Sequence, residues 1–167
     1  SLQVSVVTFR PDLHLLDRCF RKLALAIAAA RDDRVVRTVA LALIDNTGER
    51  AVAKEAIAVA QRRFGEANVQ LTYLHGHANI GYGAAHNLVL HGSGADYHLV
   101  LNPDVELAPD ALAVAVRWLA EHTEVGAVAP EVYDGDGERQ EYLCKRFPTV
   151  ADLLLRGFAP GPLRRLF

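Results

Sequence analysis

Apolar residues in this chain alternate between continuous runs and helical spacing. Leu2 to Phe9 is a β-branched apolar run that stops at Arg10-Pro11-Asp12, which predicts a strand, a turn and a helix start. Leu13, Leu16, Phe20, Leu23 and Ile27 then recur at helical spacing and predict an amphipathic helix toward Ala30. After the charged link Arg31-Asp32-Asp33-Arg34, Thr38 to Ile44 predicts a second buried strand, stopped by Asp45-Asn46-Thr47-Gly48. Ala51 to Phe64 reads as a helix with Gly65 as its C-terminal stop. Val69 to Leu74 predicts a third strand, Ala84 to Leu90 a third helix and Leu99 to Leu101 a fourth strand. Pro109 to His122 predicts a fourth helix, with Pro109 in the first turn where its missing donor costs nothing. Strand character resumes from Val125 to Val132. Strands alternating with helices imply an α/β fold, a mostly parallel central sheet with helices on both faces.

The pattern changes after Val132. Asp134-Gly135-Asp136-Gly137 predicts a turn between strands, and Arg146-Phe147-Pro148 interrupts the chain again. Val150 to Phe158 predicts one more helix, and Gly157 to Phe167 is rich in Gly, Pro, Leu and Arg without a helical or strand period. The expected division is a core over residues 1–133 and the start of a further region over 134–167, with the C-terminal part of the fold missing. Leu153, Leu154, Leu155, Phe158, Leu163, Leu166 and Phe167 present more apolar area than a free terminus usually leaves in water. Self-association is expected from them, with Arg156, Arg164 and Arg165 flanking a dimer-facing or membrane-facing patch.

Charge and composition narrow the function classes. The chain has 167 residues, 51% hydrophobic and 23% charged, in the range of ordinary globular proteins. A net charge of -2 gives no basic excess for neutralising phosphates, so no nucleic-acid partner is expected. No apolar stretch is long enough to span a bilayer, and the N-terminus lacks a signal-peptide pattern. Cys19 and Cys144 stand in no metal-type or redox spacing, which predicts reduced thiols and a cytoplasmic protein.

The most informative segment is Tyr97-His-Leu-Val-Leu-Asn-Pro-Asp104. Leu99-Val100-Leu101 reads as a strand buried on both faces. Pro103 cannot continue a ladder, so Asn102 and Asp104 are presented at the carboxyl edge, where open α/β sheets bind ligands. A carboxylate beside an amide oxygen suits a hard divalent cation carrying phosphate oxygens, whereas the plain alternative is a strand-to-helix turn with a solvated acid. Thr8-Phe9-Arg10 ends the first strand, and Asp45-Asn46 follows the second. A carboxylate there can accept from the imide of uracil or thymine while Asn46 caps the next turn, although Asp-Asn-Thr-Gly is also an ordinary turn. In Asn79-Ile-Gly81-Tyr-Gly83-Ala-Ala-His86-Asn87 the two glycines allow close backbone approach where a helix begins, a place that favours phosphate oxygens. His86 stands where a dinucleotide fingerprint needs its last glycine, and a structural glycine turn is the alternative. His75 and His77 could form a metal pair but lack a third ligand, and Asp134 with Asp136 reads as a solvated turn rather than a calcium loop.

Together, Val4-Ser-Val-Val-Thr-Phe9, Ile44-Asp-Asn46, Asn79 to Asn87 and Leu99-Val-Leu-Asn-Pro-Asp-Val105 resemble the N-terminal part of a family 2 glycosyltransferase with the GT-A fold. Arg146-Phe-Pro148 adds a likeness to the bacterial rhamnosyltransferase-like branch. The resemblance implies a Rossmann-like, three-layer α/β/α sandwich. It implies that Thr8 and Phe9 line a base pocket, that Asp45 reads the base edge beside Asn46, and that Gly81 and Asn87 shape the nucleotide-sugar pocket. Asn102-Pro-Asp104 stands in the place of the family's Asp-x-Asp motif, with Asp104 as the acid that binds Mg2+ or Mn2+ with the diphosphate. Asn102 departs from the acidic form and contributes no charge.

The implied chemistry is inverting transfer of a sugar, such as rhamnose, from a dTDP- or UDP-sugar to a hydroxyl of a saccharide or lipid-linked acceptor. It would serve synthesis of cell-surface polysaccharide or lipopolysaccharide, in the cytoplasm or at the inner face of the membrane. Relatives carry the general base in the C-terminal half. Glu138 and Glu141 are the acids present there, in a surface-strand pattern, and no base is assigned. The alternatives are a nucleotide-sugar-binding or assembly module that has lost catalysis and, more remotely, a sugar-phosphate nucleotidyltransferase. Phe9-Arg10-Pro11-Asp12 lacks the glycine-rich basic loop that the latter carries after its first strand.

Overall fold

A computed structural model describes residues 1–140. Ser1–Val128 forms one compact unit, and a second begins at Ala129. In the first unit, β1 (Leu2–Thr8), β2 (Val39–Asp45), β3 (Val69–Leu74) and β4 (Tyr97–Leu101) alternate with α1 (Leu13–Asp32), α2 (Arg50–Phe64), α3 (Tyr82–Leu90) and α4 (Ala111–Glu121). All four strands are parallel, in the order β3-β2-β1-β4. This is the α/β architecture expected of a GT-A, Rossmann-like domain.

Period two in β1 assigns its side chains to two environments. Leu2, Val4 and Val6 join the main core with residues of α1, α2 and α4. Val7 joins a smaller cluster with Ala42, Ile44 and Ala85, the last from α3. Asp12 caps α1 as the sequence predicts, accepting from the His14 N–H at 2.8 Å and the Leu15 N–H at 3.3 Å. The i, i+3, i+4 spacing of Leu16, Cys19, Phe20, Leu23, Ala26, Ile27 and Ala30 buries one stripe of α1. Phe20 meets Phe64 of α2 edge to face, with ring centroids 5.4 Å apart.

Three expectations require correction. The run Leu99-Val100-Leu101 is not buried on both faces: Val100 is 48% exposed, and β4 is an edge strand of the described sheet. Val125–Val132 belongs to no strand. An apolar run becomes a strand only where its backbone finds a ladder partner, and Gly126 and Pro130 interrupt this one. Pro109 lies outside α4, ahead of the cap residue Asp110, so the helix starts at Ala111. Boundaries elsewhere move by one or two residues: α3 begins at Tyr82 and β2 includes Asp45. In the second unit, Asp134 to Gly137 is the predicted turn. Asp134 Oδ1 accepts from the N–H groups of Asp136 and Glu138, and Tyr133 bridges Arg139 in antiparallel fashion. The expectations at Glu141, Cys144, Arg146-Phe147-Pro148, the helix over 150–158 and the apolar tail lie outside the described residues.

Candidate functional site

Strand order directs attention to one edge. The chain steps outward from β1 to β2 to β3, then crosses back to place β4 on the other side of β1. Such a reversal opens a crevice at the carboxyl ends of the strands. Thr8 ends β1, Asp45 ends β2 in register with it, and Asn102 follows β4.

The β1–β2 end is buried and densely bonded. Thr8 and Asp45 are 0% and 3% exposed. Asp45 Oδ1 accepts from Thr8 Oγ1 at 3.2 Å and from Thr47 Oγ1 at 2.8 Å. Thr47 Oγ1 in turn accepts from the Arg10 N–H at 2.8 Å, and the Asn46 N–H donates to the Thr8 carbonyl at 2.8 Å. Arg10 adopts φ +46°, a left-handed conformation uncommon outside glycine, at the point where the chain leaves β1. Its guanidinium lies 5.7 Å from the Phe9 ring centroid, and Phe9 itself is 54% exposed. Two acceptors in this packed corner, Asp45 Oδ2 and Asn46 Oδ1, are buried without a hydrogen-bond partner among the described residues. Buried polar atoms are nearly always paired, so an orphaned acceptor is an opening for a further donor.

The β4 end is open by contrast. Asn102 and Asp104 are exposed. The Val105 N–H donates to the Asn102 carbonyl at 3.3 Å and closes a tight turn through Pro103. The buried Cys19 thiol donates to the same carbonyl at 3.5 Å. Burial, then the charges of Asp104 and Glu106, push that thiol up to about 12. Burial and the Asp104 charge also raise the Tyr82 phenol above its ordinary range.

A glycine turn joins these two ends. Gly81 adopts φ +86°, which a side chain would strain, and its N–H donates to Asn79 Oδ1 at 2.9 Å. Asn46 Nδ2 donates to the Gly81 carbonyl at 3.2 Å. Tyr82 donates its hydroxyl to Asn102 Oδ1 at 2.6 Å. Gly83 needs no such freedom, since its φ is ordinary and nothing approaches it within 4 Å. Asn87 is exposed on α3 and makes no side-chain hydrogen bond among the described residues.

Behind the turn, the Ser5 hydroxyl lies 2.7 Å from both His86 Nδ1 and His98 Nε2. Burial lowers both imidazoles, and the proximity of His98 lowers His86 further, so the pair is held neutral. The Tyr82 and His86 rings meet edge to face, with centroids 4.4 Å apart. Sequence reading singled out neither Tyr82 nor Ser5. A tyrosine between two glycines at a helix start is a signal for the first, but no local signal marks a serine inside an apolar strand. Among the described residues no group of three His, Cys, Asp or Glu could hold a metal ion, and His77 Nδ1 lies 2.9 Å from the neighbouring Ala78 carbonyl. No helix among the described residues is long and apolar enough to cross a membrane.

No curated protein matches the chain. The family described as Glycosyl transferase family 2 matches residues 15–165, nearly the whole length. The protein belongs to glycosyl transferase family 2, enzymes that transfer sugar from a nucleotide-sugar donor to an acceptor and generally use a divalent metal ion.

Proposed function

We propose that this glycosyltransferase moves a sugar, rhamnose by resemblance to the rhamnosyltransferase-like branch, from a dTDP- or UDP-sugar to an acceptor hydroxyl with inversion. The observation that carries the reading is the pair of buried, orphaned acceptors Asp45 Oδ2 and Asn46 Oδ1 at one flank of the β1 end, with the exposed Asp104 carboxylate following the strand on the other flank. A pyrimidine such as uracil or thymine offers one imide N–H. Asp45 Oδ1 already takes two hydroxyls, which leaves Oδ2 for that donor. Thr8 and Thr47 hold the carboxylate in place, Phe9 offers an exposed ring beside the base, and Gly81 and Asn87 border the sugar and phosphates.

The β4 end fits a hard divalent cation. Mg2+ and Mn2+ accept oxygen donors, and Mg2+ commonly takes one or two carboxylates with the rest from substrate phosphates and water. Asp104 would supply the carboxylate and Asn102 an amide oxygen close by. When bound, the ion would offset the charge that develops on the leaving diphosphate. The residues of this chain bind and orient the donor; no general base is assigned, and Glu138 is exposed.

Residues 1–133 are read as the donor-binding core and 134–167 as the start of an acceptor-side region. The product would enter cell-surface polysaccharide or lipopolysaccharide on a saccharide or lipid-linked acceptor. The bacterial setting and the cytoplasmic face of the membrane follow from the branch resemblance, and a homodimer or peripheral membrane contact from the apolar, arginine-bearing tail sequence.

Calorimetry with UDP and dTDP, each with and without Mn2+, tests the donor site. Both nucleotides should bind more tightly with the metal, and Asp104→Ala should abolish the metal dependence. Asp45→Ala should weaken binding whether or not metal is present. Affinity indifferent to Asp104→Ala and to a chelator would remove the metal assignment. Turnover with dTDP-rhamnose against UDP-sugars then identifies the donor.

A further inference from the structure

We propose that Tyr82 is a positioning residue that sets the Asp104 carboxylate for the donor diphosphate, acting through Asn102. The proposal rests on the donor-site reading above. Tyr82 is the first residue of α3, and the φ of +86° at Gly81 turns the chain into it. On one side, Asn46 at the end of β2 holds the Gly81 carbonyl at 3.2 Å. On the other, the Tyr82 hydroxyl donates to Asn102 Oδ1 at 2.6 Å, immediately after β4. The ring between these anchors is seated edge-on against His86, which is 4% exposed and 2.7 Å from Ser5 in β1. Two residues therefore tie together the ends of the strands that flank β1.

The link reaches Asp104 through a stiff path. Asn102 and Asp104 are separated only by Pro103, whose ring fixes its own φ. The turn is closed by the Val105 N–H on the Asn102 carbonyl, with the Cys19 thiol on the same oxygen. The Asn102 main chain is thus held from below by α1 and its side chain from the side by Tyr82. Removing the phenol frees the amide side chain of an exposed turn that carries the only acid of the Asn102–Val105 segment. It leaves the buried Asp45 corner intact, because that corner is held by Thr8, Thr47 and Asn46.

The test compares Tyr82→Phe, Asn102→Ala and the double variant with the unmodified chain. Calorimetry reads UDP and dTDP in Mn2+, and ligand-observed NMR reads uridine and thymidine, which lack phosphates. Tyr82→Phe should weaken diphosphate binding by about fivefold, the size of one neutral hydrogen bond, and leave nucleoside binding unchanged. In the Asn102→Ala background the same substitution should add nothing, since the partner is already gone. Unchanged diphosphate affinity in Tyr82→Phe, equal losses for nucleoside and diphosphate, or additive losses in the double variant would each overturn the proposal while leaving the donor site standing. An unmodified chain that binds neither UDP nor dTDP would overturn the donor-site reading, and this proposal with it.

Discussion

The two faces of the four strands are built from different chemistry. Against one, α1, α2 and α4 lay down a continuous apolar core that includes Phe20, Phe64, Leu16 and Leu23, all essentially inaccessible. Against the other, among the described residues, lies α3, whose Ala85 packs on the buried Val7, Ala42 and Ile44 beside the Ser5, His86 and His98 cluster. The same strand serves both, because Val4 and Val6 point one way and Ser5 the other. The difference teaches where stability and adaptability reside. Burial of apolar area holds the first face, whereas directional polar contacts hold the second, and it is the second that carries the glycine turn. Regions with few buried apolar contacts open at lower free energy than the global core. Amide exchange should therefore be faster along α3 than along the buried stripe of α1.

The largest expected effect falls on the apolar face. Phe64→Ala removes the partner of Phe20 and should destabilise the fold by about 3–5 kcal/mol, read by denaturant unfolding. A loss below about 1 kcal/mol would mean that this face does not dominate. On the polar face, Ser5→Ala strips both imidazoles of their shared partner and should cost about 1–3 kcal/mol, the penalty for leaving buried polar groups unpaired.

Acidity should discriminate between the faces without mutation. His86 and His98 sit below the ordinary imidazole value of 6.5 because burial disfavours their charged forms. As the pH falls through about 6.5 the unfolded chain takes up protons that the folded chain refuses, so stability is fully present above that point. It is lost as the pH drops from there through the lowered folded values. Thermal melts between about pH 7.5 and about pH 5.5 should show this decline, and His98→Gln should flatten it. The smallest effect is expected at the sheet edge, where Val100 is 48% exposed: Val100→Thr should change stability by no more than about 0.5 kcal/mol.

Much of this was legible in the residues. Periodicity located every strand and helix of the first unit, because a 3.6-residue stripe such as Leu16, Phe20, Leu23 and Ile27 has few alternative readings. The strand-terminal polar residues Asp45 and Asn102 were legible for a related reason, since a buried run that ends in an acid or amide places it at a sheet edge. What periodicity cannot supply is the neighbour. Leu99-Val100-Leu101 looks the same whether one face or two are covered, and Val125–Val132 has strand composition without a ladder. Contacts between distant residues were equally hidden. Ser5 meets residues 81 and 93 positions away, and Tyr82 meets one 20 positions away.

The contact between Cys19 and the Asn102 carbonyl gives the molecule a built-in chemical clock. Alkylating reagents attack thiolate, and a thiol pushed up to about 12 beneath a closed turn offers almost none at neutral pH. Reaction at Cys19 must wait for the Asn102–Val105 turn to lift away from α1, or for wider opening. Its rate therefore counts the openings that uncover this thiol, the lifting of that turn among them, in the unmutated chain. A nucleotide diphosphate that clamps the turn should slow the count, and a nucleoside that reaches only the Asp45 corner should leave it running.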